Sequence, residues 1–160
     1  MSADSMSADP MSVKRALLEH CQAYVSRVLS EAHSGVERSR EAANMEEKSS
    51  AGDKFETQRA MMHLQMESFI ERLEVARRLE AELALLRIQP MDTVELGALV
   101  ELEGRAYFVA VSAPVCAVDG VRYTCLSREA PLFLAMRGLR EGDWVEWGGE
   151  DEELELTRVR

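Results

Sequence analysis

Residues 55–90 read FETQRA MMHLQMESFI ERLEVARRLE AELALLRIQP, and the spacing inside this stretch decides the fold of the first half of the chain. Phe55, Met62, Met66, Phe69, Leu73, Ala76 and Leu83 recur at intervals of three, four or seven residues. That repeat lines one face of an α-helix. Arg59 and Glu80 interrupt the stripe locally, while Leu79 and Leu86 widen it toward its C-terminal end. Proline disfavours helix in the residue before it, so Pro90 is expected to end a helix spanning 55–88.

Upstream, residues 12–44 contain no proline and one glycine, Gly35. Leu17, Cys21, Tyr24, Val28, Ala32, Gly35 or Val36, and Ala42 or Ala43 form a second stripe with the same spacing. Two segments of similar length joined by a short polar stretch predict an antiparallel coiled-coil hairpin over 12–89, with its tip at about 45–54. A helix of about 33 residues at ~1.5 Å each makes an arm of roughly 50 Å. The seam thins toward the tip and thickens toward the base, which predicts that the base docks on something. Two helices of a globular bundle are the alternative. Ahead of the hairpin, residues 1–11 (MSADSMSADPM) are polar and repeat MSAD. They are expected to form a disordered leader, with Met6 and Met11 as alternative starts.

The tip carries four carboxylates, Glu46, Glu47, Asp53 and Glu56. Ser50 followed by Asp53 resembles a capping box, so Asp53 also reads as a residue that starts the second helix. Carboxylates crowded at one point suit a hard cation such as Mg²⁺, which takes oxygen ligands together with water and substrate phosphate. Asp53 and Glu46 are the first candidates for metal ligands, with Glu47 and Glu56 beside them; Gly52 leaves the backbone free to aim Asp53.

Beyond Pro90 the period changes to two. Residues 98–103 and 106–111 read as strands around a turn at Gly104. Residues 115–118 and 121–126 flank Asp119-Gly120, a strong hairpin signal. A two-residue turn there puts Cys116 opposite Tyr123 and Cys125 opposite Pro114. Cys116 and Cys125 are then diagonal neighbours at ~7–8 Å, too far for an unstrained disulfide. Ser127 or Glu129 opens a short helix with Pro131 in its first turn, Leu132, Leu134, Ala135 and Met136 behind it, and Gly138 closing it. Glu141-Gly142-Asp143 turns into a strand at 144–147, and 154–159 is the last strand. Trp144 and Trp147 are three apart and so face opposite sides of a strand. One is expected in the core and the other exposed, a candidate partner contact. The acidic run 150–155 reads as a solvated turn.

The chain of 160 residues has 29 acidic and 19 basic side chains, a net charge of −10. That excess argues against a free-standing nucleic-acid binder, which must neutralise phosphates. The excess is uneven: residues 1–90 carry −3 and residues 91–160 carry −7, without a single lysine. Three cysteines without metal spacing, no secretory core and no apolar run near ~20 residues point to a reduced, cytoplasmic protein. His20, His33 and His63 lack the paired spacing of a metal site; His33 with Glu37 is a single His–Glu pair four residues apart. Met61, Met62 and Met66 read as coiled-coil packing. Arg72, Arg77, Arg78 and Arg87 read as solubilising surface, with Glu74 and Arg78 as a helical ion pair.

The second half resembles the C-terminal domain of the Gre family of transcript-cleavage factors. The resemblance rests on Leu96-Gly97-Ala98-Leu99-Val100, on Leu126-Ser127-Arg128-Glu129-Ala130-Pro131-Leu132, and on Arg137-Gly138-Leu139-Arg140-Glu141-Gly142-Asp143-Trp144-Val145. The family joins this FKBP-like domain to an N-terminal antiparallel coiled coil, so the resemblance covers residues 11–160 and implies an α+β chain with FKBP-like residues 91–160. It implies a partner, bacterial RNA polymerase, docked at the rim of the secondary channel. The coiled-coil tip enters that channel, and its acids help hold a second magnesium ion and its water for cleavage of backtracked RNA. The factor is then a monomer and not itself an enzyme, meeting nucleic acid only inside the transcription complex. The tip departs from the family pattern. Aligning the family's aromatic with Phe55 puts Lys48 and Ala51 where its two principal acids belong, and Lys54 where a further one belongs. Three alternatives follow: a non-cleaving competitor for the channel, a prolyl-isomerase or peptide-binding module suggested by the FKBP-like fold, and a coiled-coil adaptor.

Overall fold

The computed structural model describes the backbone of residues 8–48 and 53–160 and the side chains of 8–45 and 56–160. Helices α1 (Pro10–Lys48) and α2 (Asp53–Leu85) are followed by β1 (Leu99–Leu102), β2 (Arg105–Ala110), β3 (Ala113–Val118) and β4 (Val121–Ser127). A short helix α3 (Pro131–Met136) and strands β5 (Trp144–Glu146) and β6 (Glu153–Val159) complete the chain. The class is α+β, as the change of period implies. Residues 25–81 form one compact unit. The described residues up to Tyr24, together with 82–160, form the other.

Helix α1 starts two residues before Ser12, and the cause is local. Pro10 occupies the first helical position, where its missing N–H costs nothing. Asp9 Oδ1 accepts the Met11 N–H at 3.3 Å, and the Asp9 carbonyl accepts the Val13 N–H at 3.1 Å. Asp9 is therefore the N-cap. Residues 10 and 11, expected in a disordered leader, are helical; residues 1–7 lie outside the described residues. Helix α2 ends at Leu85 rather than at the residues before Pro90. The Leu86 N–H turns back to the Leu83 carbonyl at 3.1 Å, a tightened closing turn, and Leu86 tucks into the core.

In the unit of residues 25–81 the two stripes meet as their spacing predicts. Val25, Ala32, Val36 and Ala76 are buried, and Met62, Met66, Phe69, Leu73 and Leu79 are half-buried, whereas Met61, Leu64 and Val75 remain exposed. The Phe69 ring lies where a Cβ on Gly35 would be, so this glycine makes room for the partner helix. Val25 takes the buried place expected of Tyr24, because burial along α1 steps by four from Val13 through Leu17 and Cys21.

In the other unit six strands form one sheet in the order β3-β4-β2-β1-β6-β5. All neighbouring pairs are antiparallel except β2 with β4. Two tight turns set the hairpins: Glu103-Gly104 between β1 and β2, and Asp119-Gly120 between β3 and β4. Asp119 and Gly120 both have positive φ, 50° and 79°, the conformation that matches the twist of the strands. Cys116 pairs with Tyr123 as expected, but a bulge between Ala113 and Cys116 puts Cys125 opposite Ala113 instead of Pro114.

One face of the sheet holds Val100, Leu102, Tyr107, Val109, Val145 and Leu156, covered by Leu132, Phe133 and Met136 of α3. Side chains alternate along a strand, so Leu99, Phe108 and Cys125 point to the other face. The first turns of α1 cover that face: Cys21 Sγ lies 3.8 Å from Cys125 Sγ, and His20 Nε2 lies 2.7 Å from the Pro114 carbonyl oxygen. The thick end of the helical seam is thick because it is also a layer of the sheet domain.

Helix α3 differs from its expectation at its start. Its N-cap position is Ala130, without a side-chain cap, and the Ala130 N–H bonds to the Ser127 carbonyl at 3.1 Å. Neither the Ser127 hydroxyl nor Glu129 caps it; the fixed φ of Pro131 presets the turn. Leu134 and Ala135 face solvent, and Phe133 fills the buried position.

Candidate functional site

The four tip acids sit at adjoining helix ends. Glu46 and Glu47 belong to the last turn of α1, and Asp53 and Glu56 to the first turn of α2. Asp53 is the first described residue of α2; the capping box it would form with Ser50 falls outside the described residues. Glu56 is exposed. The side chains of Glu46, Glu47, Lys48 and Asp53, and the whole of Ser50, Ala51 and Gly52, lie outside the described residues. Among the described residues no three His, Cys, Asp or Glu side chains are arranged to hold a metal ion. The donor set at the tip is chemically apt for Mg²⁺ through Glu46, Glu47, Asp53 and Glu56, and inapt at Lys48 and Ala51.

Both tryptophans are exposed, which corrects the expectation that one is core. Strand β5 stops at Glu146, so Trp147 is not part of the alternation that the sequence suggests. Within the strand only Val145 points inward. Trp144, 55% exposed, lies on the outer face of an edge strand opposite Glu155. Trp147, 37% exposed, donates its backbone N–H to the Glu152 carbonyl at 3.0 Å and closes the acidic turn. Leu134 of α3, which packs against β5, is exposed as well. Large aromatics with an open face are characteristic of contact surfaces.

Among the described residues, two clefts of the sheet unit bring no serine or cysteine nucleophile beside a base. One of about 330 Å³ is lined by Glu82, Glu95, Leu96, Arg128, Phe133 and Arg137 among others. With Glu129 it holds three carboxylates and two guanidinium groups, and Arg137 Nε lies 3.7 Å from Glu95 Oε2. Arg128 and Glu129 of its lining precede α3, and Arg137 follows it. Another, of about 590 Å³, runs over the starts of β2 and β4 beside Arg105 and Arg122. Each of these two clefts has a single aromatic, Phe133 or Tyr107, rather than the aromatic bowl that a proline-binding site needs.

Two features escape sequence reasoning. Lys14 is 0% exposed; its Nζ donates to the Gln89 carbonyl at 2.6 Å, and burial pushes its pKa down to about 8. Its only signal was its place beside Val13 on the buried face. Cys21 and Cys125, 104 residues apart, are brought together across α1 and β4. Alternation in β4 and the stripe in α1 each bury one of them, but neither pattern says that they meet.

No protein-family model matches the sequence, and no curated protein does. Among solved structures, the chain is similar to that of the transcription factor Gfh1, at 19% identity and a TM-score of 0.35, over 86% of this chain and 93% of that one. It is similar also to the crystal structure of GreA factor homolog 1 (Gfh1) of Thermus thermophilus, at 17% identity and a TM-score of 0.33, over 85% and 94% of the two chains.

Proposed function

We propose that the chain is a transcription elongation factor of Gre type: a cytoplasmic monomer that binds bacterial RNA polymerase at its secondary channel and delivers the 46–56 segment to the polymerase active site. The observation that carries this reading is the agreement of motif and element. Leu126–Leu132 is the link from β4 to α3, and Arg137–Val145 is the link from α3 to β5, in a sheet domain that follows two helices of 39 and 33 residues. In this reading Asp53 with Glu46 holds a magnesium ion shared with the polymerase, with Glu47 and Glu56 adding to the local negative charge. The bound ion supplies an activated water for phosphodiester hydrolysis. The polymerase performs the cut, and the factor is not an enzyme on its own. The exposed Trp144 and Trp147 supply docking contacts.

The test is capture of core RNA polymerase by the full chain, followed by RNA cleavage in a stalled complex. Asp53→Asn is expected to abolish cleavage and to leave capture intact. No capture would overturn the proposal. A second reading is favoured by Lys48 and Ala51, which bring no carboxylate to the positions of the family's principal acids. In it the protein occupies the channel without stimulating cleavage and excludes other channel-binding factors. Capture without cleavage, together with inhibition of a cleaving factor added in trans, separates the two.

A further inference from the structure

The two thiols that join α1 to the sheet are placed for chemistry with each other. Cys21 Sγ donates to Cys125 Sγ at 3.8 Å, and both side chains are buried and unbridged. A disulfide needs sulfurs at about 2.0 Å, so the two sulfurs must approach by a further ~1.8 Å to bond. Directly beside Cys125 the β3–β4 ladder is broken by the bulge between Ala113 and Cys116. Cys125 is buried and strand β3 is the edge of the sheet, so local opening of β3 at this bulge is the step by which a small oxidant reaches it. The thiols are not equivalent. Receiving the hydrogen bond from Cys21 lowers the pKa of Cys125 against the effect of burial, whereas giving that bond, together with burial, pushes Cys21 up. Cys116, partly exposed on β3, is also raised, chiefly by burial and then by the neighbouring Cys125.

We propose that Cys21 and Cys125 form a reversible intramolecular disulfide when the protein meets a hydroperoxide. Cys125, as its thiolate, attacks one peroxide oxygen; the O–O bond breaks, and water or an alcohol leaves with a proton. Cys125 is now the sulfenic acid. Cys21 Sγ attacks that sulfur, the S–S bond forms and the S–O bond breaks. The oxygen departs as water with the Cys21 proton. Two electrons pass from the thiol pair to the peroxide, and a dithiol reductant returns them. The bond ties residues 10–24 of α1 to β4 and closes a loop across 104 sequence positions. The inference rests on this unit alone and stands whether or not the polymerase reading holds.

The test uses the full chain with Cys116→Ser, a partly exposed position, so that only the buried pair remains. After hydrogen peroxide and unfolding, neither thiol is expected to alkylate. The intact mass falls by two hydrogens, and a peptide map joins the segments holding Cys21 and Cys125. Dithiothreitol restores both thiols. The thermal midpoint of the oxidised protein rises by about 5 °C or more, as expected for a long closed loop. The wild-type chain gives the same linkage, and Cys21→Ala or Cys125→Ala abolishes it. Two alkylatable thiols after peroxide, over-oxidation of Cys125 without linkage, or linkage only between separate chains would each overturn the proposal.

Discussion

Lys14 is a cation without exposed surface, held by one carbonyl at 2.6 Å. Burial disfavours its charged form, which is why its pKa falls from 10.5 to about 8. The unfolded chain keeps this proton up to about pH 10.5, whereas the folded chain releases it near 8. Between those values the unfolded state carries more protons, so stability rises with pH by this group's contribution. A shift of this size is worth roughly 3 kcal/mol at most. Lys14→Met keeps the aliphatic volume and removes the charge. Below pH 8 the variant is expected to be as stable as the wild type or more so, since removing a buried charge offsets the lost hydrogen bond. Its advantage should shrink steadily up to pH 10.5. Urea midpoints of both proteins at pH 7.5 and 10.5 read this directly, because both carry the same tyrosines and cysteines. An advantage that does not change with pH would mean that Lys14 is not titrating in a buried site.

The hairpin of β3 and β4 shows what local sequence decides by itself. Nothing lies within 4 Å of a Cβ built on Gly120, yet its φ is 79°. Gly120→Ala therefore adds backbone strain without a clash, and a loss of about 1–2 kcal/mol in urea unfolding is expected, with Gly120→Asn losing less. The Asp119-Gly120 turn, the Cys116–Tyr123 pair and the stripe along α2 are all legible in the sequence, because each is fixed by neighbours within a few residues. The bulge that puts Cys125 opposite Ala113 is not, since β4 must also pair in parallel with β2. The end of α2 was misplaced because Pro90 is a strong stop signal but not the nearest one: the chain already turns at Leu86. Trp147 misled because alternation holds only while the strand lasts, and β5 is three residues long. The Asp9-Pro10 start of α1 is missed by the sequence reading, because the polar repeat around it reads as a disordered leader, although an aspartate followed by proline is a helix-start signal. Of the candidate site, the order of the tip acids can be read from the chain, whereas the meeting of Cys21 with Cys125 depends on a helix lying across a sheet.

At the scale of the whole molecule, the proposed function assigns docking and chemistry to different units. The exposed tryptophans belong to the sheet unit, and the tip segment lies within 25–81. The net charge divides as well, with −7 of the total −10 on residues 91–160. A division of labour makes a prediction that a single-surface binder does not. Trp144→Ala with Trp147→Ala removes two exposed rings and leaves the core of Val145, Leu156 and α3 intact, so folding stability should stay within about 0.5 kcal/mol. Affinity for core RNA polymerase should fall by roughly 2 kcal/mol or more, about 30-fold, if the rings are central contacts. Cleavage at saturating factor should not change. Lys48→Asp with Ala51→Glu should do the reverse, restoring carboxylates at the two positions where the chain lacks them. It should raise saturating cleavage about tenfold or more, equivalent to about 1.4 kcal/mol in the barrier, at nearly constant affinity. Titration of each variant into stalled complexes, with binding and cleavage followed in the same samples, separates the effects. If the tryptophan variant lost saturating cleavage, or if the tip variant changed only affinity, docking and chemistry would not be divided between the two units.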